Sequence, residues 1–318
     1  MKEINWGIIG LGEIANKFAY AIKRMEGVKL YAVASRTKEK AEAFGKKYDI
    51  DAHKCYGSYD AILNDKHIDA IYVAVPHTMH KHISIMCLNK GKAVLCEKPA
   101  TINEKELKEI ALAAEKNKTF FMEAMKTRFL PVIQEVKTLL DKGTIGEVTL
   151  LQADFGFNAK FDPSNRLFDK NLGGGSLLDV GIYNVSFSSF IFGNKPSKIS
   201  SSLYYGITGV DESAAVNLTY EKGKEALLYS SIKVDSKRDA NIIGTEGRIT
   251  IPRYSNAETA IITVNGKEQK LHMPFEINGF EYEINEVNNC LRENKLQSDI
   301  MSIKDSIEVM KIMDKIRS

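Results

Sequence analysis

Up to about residue 124, short apolar runs rich in Val, Ile and Ala alternate with longer stretches of helical period. INWGIIG, KLYAVAS, DAHKCY, AIYVAV, AVLCEK and TFFMEAM predict strands. EIANKFAYAIKRM, TKEKAEAFGKKY, SYDAILND, HISIMCLNKG and NEKELKEIALAAEKN predict the helices between them. Strands that are apolar throughout and alternate with helices imply a parallel sheet covered on both faces.

After about residue 125 the pattern changes. A helix over PVIQEVKTLLDKG and a strand over EVTLLQADFGFN lead into a mostly apolar helix from the glycines of GGGSLLDVGIYN to about Phe192. Strand patterns follow in SKISSSLYY, SAAVNLTYE, KEALLYSSIKV, DANIIGTEGRITI, TAIITVNG and KEQKLHM, with turn signals at Lys222-Gly223 and Asn265-Gly266. Tight turns between successive strands imply a mostly antiparallel sheet, and two helices close the chain. The expected architecture is therefore α/β: residues 1–124 a doubly wound dinucleotide-binding domain, and 125–318 an α+β domain for substrate binding and dimerisation.

Composition narrows the function. Lys plus Arg number 44 against 41 Asp plus Glu, interspersed along the chain, which points to no nucleic-acid partner. No apolar run approaches the roughly 18 residues of a membrane span, and the first residues leave no room for an export signal. Cys55, Cys87, Cys96 and Cys290 are irregularly spaced, as reduced thiols of a cytoplasmic protein would be.

The first chemical signal is Gly10-x-Gly12-x-x-Ala15, after one strand and opening a helix. Gly10 makes the tight turn, Gly12 lets the backbone approach a pyrophosphate, Glu13 and Ile14 at the helix start are further cofactor-binding candidates, and Ala15 permits close helix–strand packing. At the end of the second strand, where an NAD site offers an acid, the chain has Ser35 and Arg36, followed by Lys38 and Lys40. A guanidinium suits a 2′-phosphate, so NADP is favoured, with NAD possible. Val75, Pro76, His77 and His80 stand at a further strand end on the cofactor side, with Thr78 a candidate helix cap. His77, His80 and His82 lack local acid or thiol partners, so no metal is expected. Glu97 and Lys98 close a buried strand at its carboxyl end, where open parallel sheets bind ligands. A lysine there hydrogen-bonds a substrate oxygen and favours a neighbouring phenol's ionised form.

GIIGLGEIA, VASR, VAVPHTMH, CEKP, MEAMKTRFLP and GGGSLLDVGIYNVSF, in that order, resemble the Gfo/Idh/MocA family of NAD(P)-dependent oxidoreductases. The branch most resembled contains dimeric trans-dihydrodiol dehydrogenases and D-xylose dehydrogenases. The resemblance implies that Lys98 is the catalytic lysine, often followed by a cis-proline, here Pro99. It implies that Asp179 lines the substrate site and that Tyr183, one helical turn on, is the general acid/base where many members carry histidine. By the same resemblance Arg128 is a cofactor-side residue, Arg166 a substrate-pocket residue, and the protein a homodimer, or a dimer of dimers, through its C-terminal sheet. Lys126 stands where that branch commonly has an aromatic residue, which tilts the expected substrate from an aromatic diol toward a polar sugar or polyol. The three glycines are expected to leave room for substrate or nicotinamide. The competing expectations are a catalytically silent NAD(P)-sensing protein of the same fold and an enzyme cycling bound NAD(P) internally.

Overall fold

The computed structural model describes residues 3–318, which form two compact units. In the first, β1 (Ile4–Ile9), β2 (Val28–Ala34), β3 (Cys55–Tyr56), β4 (Ala70–Val73), β5 (Ala93–Glu97) and β6 (Phe121–Ala124) alternate with five helices. These are α1 (Glu13–Ile22), α2 (Lys38–Lys47), α3 (Tyr59–Leu63), α4 (His80–Asn89) and α5 (Glu104–Asn117). All pairings are parallel in the order β3-β2-β1-β4-β5-β6, the doubly wound arrangement whose order reverses beside β1. The apolar runs become strands because both faces are covered: every residue of β4 is buried. In α1 the buried Ala15, Phe18, Ala19 and Ile22 recur at one-turn spacing, and Phe18 stacks on Tyr72 of β4 with ring centroids 3.7 Å apart. Thr37 and Ser58 cap α2 and α3 through side-chain oxygens that accept from Lys40 N and Ala61 N.

The second unit begins with α6 (Pro131–Asp141) and β7 (Val148–Gly156), then α7 (Ile182–Phe192). Seven further strands follow: β8 (Lys198–Tyr205), β9 (Asp211–Thr219), β10 (Glu225–Ser231), β11 (Ala240–Gly244), β12 (Gly247–Ile251), β13 (Thr259–Val264) and β14 (Lys267–His272). They form one sheet, β14-β13-β12-β11-β7-β10-β9-β8, antiparallel except where β10 lies parallel to β7. That exception arises because the return of the chain through α7, β8 and β9 brings β10 beside a strand far earlier in sequence. Asn265 and Gly266, both at positive φ, make the β13–β14 turn, as their pairing predicts. α7 packs on β7 and β10 and covers one face of the sheet.

The chain closes with α8 (Phe280–Arg292) and α9 (Ile303–Arg317). Here the structure departs from a simple division at residue 124, because Glu276–Ser306 groups with the first unit. Trp6 Nε1 donates to Asn288 Oδ1 over 3.0 Å, Phe280 meets the edge of Phe18, and Phe121 N donates to Leu296 O. The amphipathic period of α8 reveals that it buries a face but not which sheet receives it.

Candidate active site

The first unit carries its candidate residues at the carboxyl ends of its parallel strands. Gly10 has φ +93°, and a Cβ there would stand 2.4 Å from Ala74 O, so the turn admits glycine alone. Gly12 is the N-cap of α1, with no side chain capping the helix and nothing within 4 Å of where a Cβ would be. Uncapped first-turn amides facing open space fit a dinucleotide pyrophosphate. Ala15 is fully buried under that turn and Ile14 half-buried, while Glu13 is exposed and pairs with Lys17 at 3.3 Å.

Ser35 is buried, with its N–H on Tyr56 O, and Arg36 is exposed. The positive charge of Arg36 opposes the upward push that burial gives the Tyr59 phenol, which places the two in the same field. Lys38 is not the companion charge its sequence position suggests: its Nζ donates to Ala52 O and Cys55 O and pairs with Glu42. Val75 and His77 are buried and Pro76 is exposed. Thr78 does not cap α4. It lies inside a 3₁₀ turn, His77–Met79, that runs into the helix, whose N-cap is Met79 without a side-chain bond. The His80 ring is fully buried between two main-chain carbonyls, so it braces loops rather than presenting itself to a ligand.

Glu97 accepts from the Tyr72 hydroxyl, and from Lys98 N over 3.2 Å. Lys98 is half-buried, and its peptide bond to Pro99 is cis. The following Ala100 N donates to Glu123 Oε1 over 2.8 Å, and Glu123 is itself buried on β6.

In the second unit the glycine-led helix is not α-helical from its start. Leu177–Gly181 forms a π-helical turn, in which Ile182 N reaches back to Leu177 O, before α7 begins. Leu178, Ile182 and Val185 are buried and anchor the helix. Asp179 lies within the π turn, also buried, and its Oδ1 accepts from Arg166 Nη1 at 3.0 Å; the Arg166 side chain is 50% exposed. Tyr183 is half-buried, its ring 5.3 Å from that of Phe155. Next to it, Asn184 donates to Tyr229 O and accepts from the Tyr254 hydroxyl at 2.5 Å. Burial, with the charges of Tyr183 and Asp154, pushes the Tyr254 phenol well above its ordinary range, so it stays a neutral donor.

Two of the three glycines, Gly174 and Gly175, have a local reason to lack a side chain. A Cβ on Gly174 would lie 2.6 Å from Leu167 O, and one on Gly175, at φ +110°, 2.3 Å from Asp211 Oδ1. Asp211 is the residue that sequence reasoning missed. From β9 its Oδ2 accepts from Leu177 N at 2.6 Å and Ser176 Oγ at 2.8 Å, so a distant strand caps the helix. Nothing near it in sequence signals that role. Arg128 is likewise spent inside this unit: it is buried and donates to Ser186 Oγ and Ser186 O of α7. Lys126 Nζ donates to Asn256 Oδ1 and lies 5.7 Å from the centre of the Phe275 ring.

A parallel sheet in this order, with an open glycine turn at its switch point, defines a dinucleotide-binding protein. Residues 4–125 match the oxidoreductase family described as having a NAD-binding Rossmann fold, and residues 133–250 match the GFO/IDH/MocA C-terminal domain. The chain is 39% identical to a trans-1,2-dihydrobenzene-1,2-diol dehydrogenase of Xenopus laevis over 320 residues, covering 97% of this chain and 96% of the relative. With the human protein of that name the identity is 33%, over 99% and 96%. Among solved structures, an aldose–aldose oxidoreductase from Caulobacter crescentus complexed with glycerol superposes with TM-score 0.92 at 22% identity, over 99% and 97% of the two chains. A 3-ketoreductase from Actinomadura kijaniata, in complex with NADP and TDP-benzene, gives TM-score 0.89 at 22% identity and the same coverage. The chain belongs to the Gfo/Idh/MocA family of oxidoreductases.

All four cysteines are buried and unpaired, and burial raises the thiols of Cys87 and Cys96. Among the described residues no helix is long and apolar enough to cross a membrane.

Proposed function

We propose that the protein is an NADP-dependent dehydrogenase or reductase acting on a hydroxyl-bearing carbon of a sugar, polyol or trans-diol. The observation that carries this is near-full-length identity of 33–39% with relatives named as trans-diol dehydrogenases, in a chain that carries Glu97-Lys98-Pro99, Asp179 and Tyr183. When bound, the nicotinamide supplies the hydride acceptor or donor. Tyr183 exchanges the hydroxyl proton at its phenolic oxygen, accepting it in oxidation and donating it in reduction. Lys98 supplies positive charge that favours the phenolate, and Asp179, held by Arg166, orients a substrate hydroxyl. Gly10, Gly12 and the uncapped start of α1 hold the pyrophosphate, and Arg36 the 2′-phosphate. The polar Lys126–Asn256 pair supports a hydroxylated substrate over an aromatic one. The exposed sheet face of the second unit is the surface through which two copies pair.

The test is an absorbance screen at the NADPH band with aldoses, inositols and trans-diols, each with NADP⁺ and NAD⁺. Release of NADPH on at least one hydroxylated substrate is expected. A clear NAD⁺ preference would overturn the role of Arg36. Binding of NADP⁺ without turnover across the panel would favour a cofactor sensor, and conversion without net NADPH would favour internal cycling.

A further inference from the structure

His80 opens α4 and has no solvent-exposed surface. Its Nδ1 lies 2.8 Å from Pro99 O and its Nε2 lies 2.7 Å from Val75 O. A carbonyl oxygen has no proton to give, so each contact is a hydrogen bond only where the ring nitrogen donates. A neutral imidazole has one N–H and one lone pair. In either tautomer, one contact would set a lone pair against a carbonyl oxygen at hydrogen-bonding distance. Flipping the ring puts carbon in place of both nitrogens and removes both donors at once.

We infer that His80 is held as the doubly protonated imidazolium, and that it is a positioning residue bridging the turn after β4, at Val75, to the turn after β5, at Pro99. Lys98 is the residue between the end of β5 and the clamped Pro99, so the bridge determines where the lysine backbone sits. The positioning role rests on the function proposed above; the protonation state does not. Two local costs oppose a cation here, burial and the positive end of α4, and two charge-assisted bonds to carbonyl oxygens act against them. The ionisable groups on the surrounding elements are His77 on the preceding turn, with ring centroids 5.7 Å apart, Tyr72 on β4, Cys96 and Glu97 on β5, Lys98 just after it, and Glu123 on β6. On α4 itself stand Lys81, which pairs with Glu106 and Glu109 of α5, the exposed His82, and the buried Cys87. Glu123 is the buried carboxyl of this layer: its Oε1 accepts from Ala100 N, one residue beyond the Pro99 carbonyl that His80 clamps.

The experiment is long-range ¹⁵N–¹H correlation on protein labelled with ¹⁵N-histidine, from pH 6 to 9, with His80 assigned by the signals lost in His80→Gln. One residue is expected to keep both ring nitrogens protonated throughout that range; an unprotonated ring nitrogen on His80 at pH 7 overturns the inference. The wild type alone already tests it: a spectrum in which no histidine keeps both ring nitrogens protonated across that range overturns the inference without any assignment. In the second arm, His80→Gln keeps one neutral donor and loses the second bond. NADP⁺ affinity and single-turnover hydride transfer are each expected to fall about tenfold, with the NADP⁺-to-NAD⁺ preference unchanged because Arg36 is untouched. Unaltered affinity and transfer rate in the variant overturn the positioning role. Absence of hydride transfer by the wild type on every substrate sinks the functional reading instead, and leaves the nitrogen result to decide the protonation state by itself.

Discussion

At the residue scale, the side chains divide by whether their role needs a partner. Gly10 was legible because its requirement is its own: a positive φ at a strand-to-helix turn, with Ala74 O too close for a Cβ. Asp179 and Tyr183 were legible as polar groups on an otherwise apolar helix, anchored by Leu178, Ile182 and Val185. Arg128 and His80 were visible as candidates, but their bonds to Ser186 and to two loop carbonyls depend on folding, and those bonds assign them to bracing. The decisive single-residue test is Tyr183→Phe, which keeps the packing against Phe155 and removes only the oxygen. Turnover is expected to fall about 100-fold or more, the scale of lost general acid/base catalysis, with NADP⁺ binding unchanged by fluorescence titration. Turnover within a few-fold of wild type would remove Tyr183 from the chemistry.

At the element scale, the helix carrying Asp179 is held at its start from another strand. Asp211 accepts from Leu177 N and Ser176 Oγ, and Gly175 gives the carboxylate room. Asp211→Ala leaves two buried donors without their acceptor and is expected to lower stability by about 1–3 kcal/mol in urea unfolding. The carboxyl has a distinct pH signature. Burial raises its pKa above the ordinary 3.8, only partly offset by the bonds from Leu177 and Ser176. Between the unfolded and folded values the folded state therefore binds more protons, so this group's contribution to stability is full below 3.8 and falls as pH rises through the folded value. Asp211→Asn removes the titration, so the wild-type-minus-variant difference in unfolding free energy is expected to decrease with pH across that window. A difference that grows with pH would show that the hydrogen bonds outweigh burial. Sequence periodicity revealed the helix but not the π turn at Leu177–Gly181 or the Asp211 carboxylate that accepts from Leu177 N.

At the scale of the whole molecule, the second unit's sheet leaves one face uncovered. Ser200, Asn217, Leu227, Gln152 and Asn241 lie in register across five neighbouring strands, and Leu227 is 42% exposed. A row of small and polar residues around an exposed leucine suits a flat self-association surface. Leu227→Arg is expected to convert a dimer to a monomer in sedimentation velocity, while hydride transfer persists at high enzyme concentration. A variant that sediments as the wild type does would move the interface elsewhere.

The sequence by itself determined the class of each half, the dinucleotide turn, and the helix that carries Asp179 and Tyr183. These rest on local matters: strand and helix periods, the conformational freedom of glycine, and the anomaly of polar groups among apolar ones. Tertiary structure alone decided that Glu276–Ser306 joins the first unit, that β10 runs parallel to β7, and that Asp211 caps a helix from another strand. It also decided that Lys38 and Arg128 are occupied by neighbours within their own units. Each of these depends on contacts between segments far apart in the chain, where an amphipathic pattern marks that a face is buried but carries no record of what buries it.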